Sequence, residues 1–173
     1  MIRQGYIHVY TGNGKGKTTA ALGLSLRAAG TGKKIFFAQF VKGKSCSEID
    51  AIHEFIPNIT VKQYGLDCFI VQEPTDADIR AARKGLKEIK HILSEGIYDI
   101  VVLDEATIAI YYKLFSSQEL IKILNKKKNE TEVIITGRYA PHELIEIADL
   151  VTEMKEIKHY YSKGIKARKG IEY

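Results

Sequence analysis

Tyr6 to Leu22 reads YIHVYTGNGKGKTTAAL, and its reading decides the fold. An apolar run (Tyr6, Ile7, Val9, Tyr10) leads into Thr11-Gly12-Asn13-Gly14-Lys15-Gly16-Lys17-Thr18-Thr19, and Ala20 to Leu24 continues as the first turns of a helix. Strand, glycine-rich turn, then helix is the setting that a phosphate-binding loop requires. Gly12, Gly14 and Gly16 let the backbone curl so that successive N–H groups face an anion, and the helix N-terminus adds its positive end to that field. Lys17 is placed to reach the outer phosphates of a nucleoside triphosphate, and the Thr18 hydroxyl to ligate magnesium. The general pattern G-x-x-x-x-G-K-S/T has its leading glycine where this chain has Thr11, so Gly12 comes one place late and the loop is a variant. An ordinary glycine-rich turn is the alternative; Gly-Lys-Thr-Thr at a helix start favours the triphosphate site.

A chain of 173 residues is expected to form one domain over 1–173, with 45% apolar and 27% charged residues placing it among soluble globular proteins. No apolar run approaches the length of a bilayer-spanning helix, so no membrane partner is expected. The first strand starts almost at once, which leaves no room for a signal peptide and makes the cytoplasm the expected location. Cys46 and Cys68 have no metal-ligand spacing, and a disulfide is not expected in a reducing compartment. The net charge of +5 suits a polyanionic partner, which ATP satisfies as well as nucleic acid does.

Further along, Lys34–Phe40 (KIFFAQF), Ile59–Tyr64 (ITVKQY), Tyr98–Leu103 (YDIVVL) and Glu132–Thr136 (EVIIT) read as strands, with a sixth at Leu150–Met154. Short helices are expected at Ile49–Phe55, near Ser116 or Ser117 with Glu119 completing a capping box, and after Pro141. Thr75–Glu95 is the clearest helix. Thr75 and Asp78 form its capping box, Ile79, Ala82, Leu86, Ile89 and Leu93 its apolar stripe, and Gly96 its stop. Alternation of strands and helices predicts an α/β fold, a mostly parallel sheet of about six strands covered on both faces. Such sheets bind ligands beyond the C-terminal strand ends, where the glycine-rich loop, Asp104-Glu105 and Gly137-Arg138 all fall.

An apolar strand ending in an acidic pair is the usual second half of a phosphate-loop site, and Asp104 and Glu105 are the candidates to hold magnesium opposite Thr18. Arg138 either neutralises triphosphate charge or pairs with a carboxylate in the sheet. The loop Gly65–Pro74 is unusually apolar (Leu66, Cys68, Phe69, Ile70, Val71), so it is either a buried connection or a lip for a large hydrophobic ligand. His8 reads as a satisfied core or edge histidine. The tail Lys155–Tyr173 has six Lys or Arg against two Glu, with Tyr160, Tyr161 and Tyr173 among them. It could bind single-stranded nucleic acid or fold back over the nucleotide.

These motifs resemble those of the cob(I)alamin (corrinoid) adenosyltransferases of the CobA/CobO/BtuR type. The resemblance rests on Thr11–Ala21, Val101–Glu105, Val133–Arg138, Ala148-Asp149 with Val151–Glu153, and the closing Gly164–Arg168 and Gly170–Tyr173, in order over essentially the whole chain. The late first glycine is what this family shows. The resemblance implies a RecA-like P-loop fold, a homodimer, and transfer of the 5′-deoxyadenosyl group of ATP to the Co(I) of a reduced corrinoid, with triphosphate released. It implies a flavoprotein reductant as a further partner, and neither a membrane nor a nucleic acid. Carried over by position, Gly12, Asn13, Gly14, Lys15, Gly16, Lys17, Thr18 and Thr19 hold the phosphates. Thr18 with Asp104 and Glu105 holds magnesium, Lys17 and Arg138 act in catalysis, and Leu66 and Phe69 contact the corrinoid. Some relatives have an aromatic pair including Trp in that region, associated with displacing the lower cobalt ligand; with no Trp here, that leaves Phe69 or another residue for the task. Some also carry an N-terminal extension over the site, expected to be absent or replaced here. The rival readings are a RecA-like ATPase acting on nucleic acid with Glu105 activating water, a small-molecule kinase, and a nucleotide-binding regulatory module without turnover.

Overall fold

The structure, a computed structural model, describes residues 4–43, 46–66 and 73–172. Six strands form one sheet: β1 (Ile7–Thr11), β2 (Ile35–Phe40), β3 (Ile59–Tyr64), β4 (Ile100–Asp104), β5 (Glu132–Thr136) and β6 (Leu150–Glu153). Their order is β3-β2-β4-β5-β1-β6, and every pairing is parallel. All strand C-termini therefore lie along one rim of the sheet.

The helices are α1 (Lys17–Ala29), α2 (Ser47–Phe55), α3 (Asp76–Glu95), α4 (Ala106–Tyr111), α5 (Ser117–Leu124) and α6 (His142–Ile147), with a 3₁₀ turn at Tyr160–Lys163. Both faces of the sheet are covered, and β2 shows it directly. Phe36, Ala38 and Phe40 enter the larger core with α3, α5 and α6, whereas Ile35 and Phe37 enter a second core with α1 and α2. A strand buried on both faces reads as a continuous apolar run, which is why KIFFAQF was legible as an inner strand.

The expected capping boxes form at Thr75–Asp78 and Ser116–Glu119, and Gly96 ends α3 in the left-handed region at φ 66°. Helix α4, directly after the acidic pair, was not expected. Its six residues, ATIAIY, are too short for a helical period to show and are rich in β-branched side chains.

Packing reverses the usual rule for one helical glycine. Gly85 of α3 lies under Tyr64, whose hydroxyl donates to Glu88 at 2.9 Å, and a Cβ at Gly85 would come within 2.5 Å of the ring. Gly23 of α1 has nothing within 4 Å of such a Cβ. Gly23→Ala should therefore stabilise the protein by about 0.5–1 kcal/mol, the normal helix gain. Gly85→Ala should destabilise it by about 1–3 kcal/mol through overpacking. Thermal midpoints of the two variants should move in opposite directions, by about 2–4 °C per kcal/mol; a rise for Gly85→Ala would refute the close contact.

Candidate active site

The loop between β1 and α1 takes its shape from its glycines. Thr11 is still a strand residue, paired with Glu153 of β6, and its hydroxyl oxygen accepts from the Ala140 N–H at 3.4 Å. The left-handed turn falls on the next residue, Gly12 at φ 93°, where a Cβ would stand 2.5 Å from the Met154 carbonyl oxygen. The strand thus runs through Thr11, and the turn that needs a glycine begins at Gly12. Gly16, at φ 116°, caps α1 without a side chain, and no acidic residue stands in the first turn. The positive end of α1 is thus left for an anion from outside. Lys17 is buried, and its ammonium donates to the Gly12 and Gly14 carbonyls, both at 2.7 Å. Burial lowers its pKa, against the attraction of Glu105.

Asp104 ends β4 with its carboxylate fully buried. One oxygen accepts from Thr18 at 2.8 Å and Thr136 at 2.6 Å; the other accepts from Gln39 at 3.0 Å and lies 3.7 Å from the Lys42 ammonium. Four partners offset the cost of removing this charge from water. Burial would lower the Lys42 pKa, but Asp104 and Glu105 together outweigh it and raise it. Glu105 follows in the left-handed region at φ 57°, which turns its side chain toward the cavity while its N–H donates to Thr136 at 3.1 Å. Burial raises the Glu105 carboxyl above its usual range, and the charge of Asp104 adds to this against Lys42, Lys17 and Arg138.

The loop, Glu105 and the residues after β5 meet at one cavity of about 460 Å³. It is lined by Asn13 to Thr19, Lys42, Glu105 and Arg138 among others. Arg138 is exposed and lines the cavity, where its charge favours the ionised form of Glu105. One wall is aromatic. Tyr111, the last residue of α4, and Tyr112 after it meet at 5.4 Å between ring centroids, and the Tyr111 ring lies 4.6 Å from that of Tyr139. Leu66 is 45% exposed and is not among the lining residues; its carbonyl packs against Gly43, where a Cβ would fall 1.9 Å away. Phe69 and Cys68 lie outside the described residues. Among the described residues the aromatic wall comes from Tyr139 and from the chain around α4, a helix too short for its period to show in the sequence. Gln39 did carry a signal, being the polar residue in an otherwise apolar strand; Lys42 carried none.

His8 is a satisfied strand residue, 2.6 Å from Glu132. Asp149 accepts from the Ile7 N–H at 2.8 Å and so fixes the start of β1. Among the described residues, no group of three or more His, Cys, Asp or Glu gathers as a metal site, and no helix is long and apolar enough to cross a membrane.

An all-parallel sheet with a glycine loop on β1 and an acidic pair on β4 defines an α/β protein of the P-loop-like class. A model of the ATP:corrinoid adenosyltransferase BtuR/CobO/CobP family matches residues 3–173, and the chain belongs to that family. It is 36% identical over 171 residues to a corrinoid adenosyltransferase of Escherichia coli (strain K12), covering 98% of this chain and 86% of that protein. The same identity and coverage relate it to the corrinoid adenosyltransferase CobA of Salmonella typhimurium. A corrinoid adenosyltransferase of a Sinorhizobium species is 36% identical over 174 residues, covering 98% of this chain and 81% of that protein.

The raised Glu105 carboxyl gives a sign that can be tested without ligand. Below about pH 4.3, the ordinary carboxyl value, Glu105 is protonated in both folded and unfolded states and costs nothing. Above it the unfolded chain releases the proton first, so stability falls as pH rises toward the folded value. Glu105→Gln should therefore raise the thermal midpoint of the ligand-free protein at neutral pH, by about 2–4 °C per kcal/mol of repulsion removed. The gain should vanish in acid. Calorimetry across a pH series checks this, and a lower midpoint for the variant at neutral pH refutes it.

Proposed function

We propose that this protein transfers the 5′-deoxyadenosyl group of ATP to the Co(I) of a reduced corrinoid, releasing triphosphate. The observation that carries the reading is the convergence, on one cavity, of a glycine-rich loop at a helix N-terminus, the Glu105 carboxyl and an exposed aromatic wall, in a chain that matches the family along its length. Reduced cobalt is itself a strong nucleophile toward a saturated carbon. The protein then need supply no nucleophile and no general base, only alignment and stabilisation of a leaving polyphosphate.

On this reading the loop amides from Gly12 to Thr19 and the positive end of α1 receive the phosphates. Lys17, poised over its own loop carbonyls, turns its ammonium to the oxygens that gain charge as the C5′–O bond breaks. Arg138 and Lys42 add positive charge from the other rims. Thr18 and Glu105 offer oxygen donors that fit a hard cation, with Asp104 held behind Thr18. The Thr18 hydroxyl donates its hydrogen bond to Asp104 and keeps its lone pairs for a cation, while the surroundings of Glu105 disfavour its charged form. Magnesium held there would neutralise phosphate charge. Burial keeps Asp104 from reaching the ligand; it orients Thr18 instead.

Tyr111, Tyr112 and Tyr139 are proposed as the surface for the corrin, with Leu66 and Phe69 as further contacts on sequence grounds. A single 173-residue domain, a homodimeric cytoplasmic enzyme and a flavoprotein reductant belong to the same reading through the family.

Incubation with Mg-ATP and chemically reduced corrinoid should yield intact triphosphate together with a light-sensitive alkylcorrinoid. ADP and phosphate formed without corrinoid would refute the proposal and favour an ATPase. Lys17→Ala should lower turnover by about 10²–10³-fold, the usual loss of one preorganised charge stabiliser. Tyr111→Ala should raise KM for the corrinoid by about 2- to 10-fold through lost ring contact, with KM for ATP little changed; an unchanged corrinoid KM would remove the tyrosine wall from the site.

A further inference from the structure

The last residues of the chain return to its first loop. We propose that the C-terminal segment 159–172 is a strap that fixes the phosphate loop through Lys15, with Glu172 as its positioning residue. This rests on the loop being a polyphosphate site, as read above.

An ammonium has three hydrogens to donate. That of Lys15 has three acceptors, all from the tail: the Tyr160 hydroxyl at 3.0 Å, the Ile171 carbonyl at 2.9 Å and the Glu172 carboxylate at 2.7 Å. Lys15 is saturated and turned toward the tail. Lys17 differs, since its two acceptors belong to the loop itself. The two loop lysines thus divide the work: Lys17 faces the ligand, and Lys15 is an anchor that acts on the ligand through the loop's shape.

Glu172 is held in turn. It accepts from the Tyr160 hydroxyl and from the Arg168 N–H at 2.7 Å, and the Arg168 guanidinium stands 5.0 Å from the Tyr160 ring centroid. The start of the tail grips the loop from the other side. The Gly14 N–H donates to the Met154 carbonyl at 2.7 Å, and a Cβ on Gly14 would come within 2.7 Å of that oxygen. Between these two grips, His159 lines the cavity. A loop fixed on both sides before its ligand arrives loses less freedom on binding, which raises affinity without a new contact to the ligand. The basic, tyrosine-containing tail is therefore committed to the protein's own loop, which leaves Tyr160 and Arg168 engaged rather than open to a nucleic acid.

Glu172→Gln and a chain lacking residues 171–173 should bind Mg-ATP about 3- to 10-fold more weakly by calorimetry, as suits the loss of one partly screened charged bond. The kcat at saturating ATP should stay within about twofold, and Glu172→Asp should recover part of the loss. Lys15→Gln should show the same weakening, with Glu172→Gln adding nothing in its background, because the two act through one contact. Amide exchange at residues 12–16 of the nucleotide-free protein should quicken in Glu172→Gln. Unchanged exchange, or additive losses in the double variant, would overturn the strap. Wild-type protein that binds no Mg-ATP would instead overturn the function proposed above, while the exchange measurement still reads the strap.

Discussion

The buried carboxylate of Asp104 is the contact on which the rest of the site depends. It joins β4 to β2 through Gln39, to β5 through Thr136, to α1 through Thr18, and to the loop after β2 through Lys42. A charge in that position is tolerable only while its partners stay in place. Strand register and the start of α1 are therefore tied to one group. Because β5 lies between β1 and β4, Thr136 joins β1, its strand neighbour, to the acidic strand, and Asp104 in turn reaches the first turn of α1. That bridge brings Thr18 to a residue 86 positions away in sequence.

Around this contact the protein separates two electrostatic tasks. Asp104 is enclosed and serves the scaffold, while Glu105, turned out by a left-handed backbone, faces the cavity. The unfavourable setting of Glu105 is the kind of local cost that functional sites retain. Cations stand on three sides of the same space: Lys17 in the loop, Lys42 after β2 and Arg138 after β5. Such a cage suits a reaction whose charge builds up on a leaving polyphosphate and whose nucleophile comes with the other substrate.

Beside the glycine-rich loop, the site has an aromatic wall and the tail. Helix α4 is short, yet it follows the acidic pair directly, so Tyr111 and Tyr112 are positioned by the same β4 terminus that supplies Glu105. Tyr139 follows Arg138 and completes the wall. The tail closes the opposite side through Lys15. Contacts from the C-terminal part of the chain thus hold a loop near its start.

Much of this was legible in the residues themselves. The glycine loop, the strand runs, the two capping boxes and the position of Asp104-Glu105 at a strand end are local patterns, and local patterns appear in sequence because they depend on neighbours a few residues apart. The motif order likewise carried the family. Only the tertiary structure separated the roles of Asp104 and Glu105, two adjacent acids that look alike in sequence, because burial and backbone handedness are set by strands far apart in the chain. The same holds for Lys15 and Lys17, whose partners come from the far C-terminus in one case and from the loop itself in the other. It holds also for the three tyrosines at the cavity, which come together from two separate stretches of the chain. A residue's type and spacing say which chemistry it can perform; the groups that the fold brings to its side decide whether it performs it.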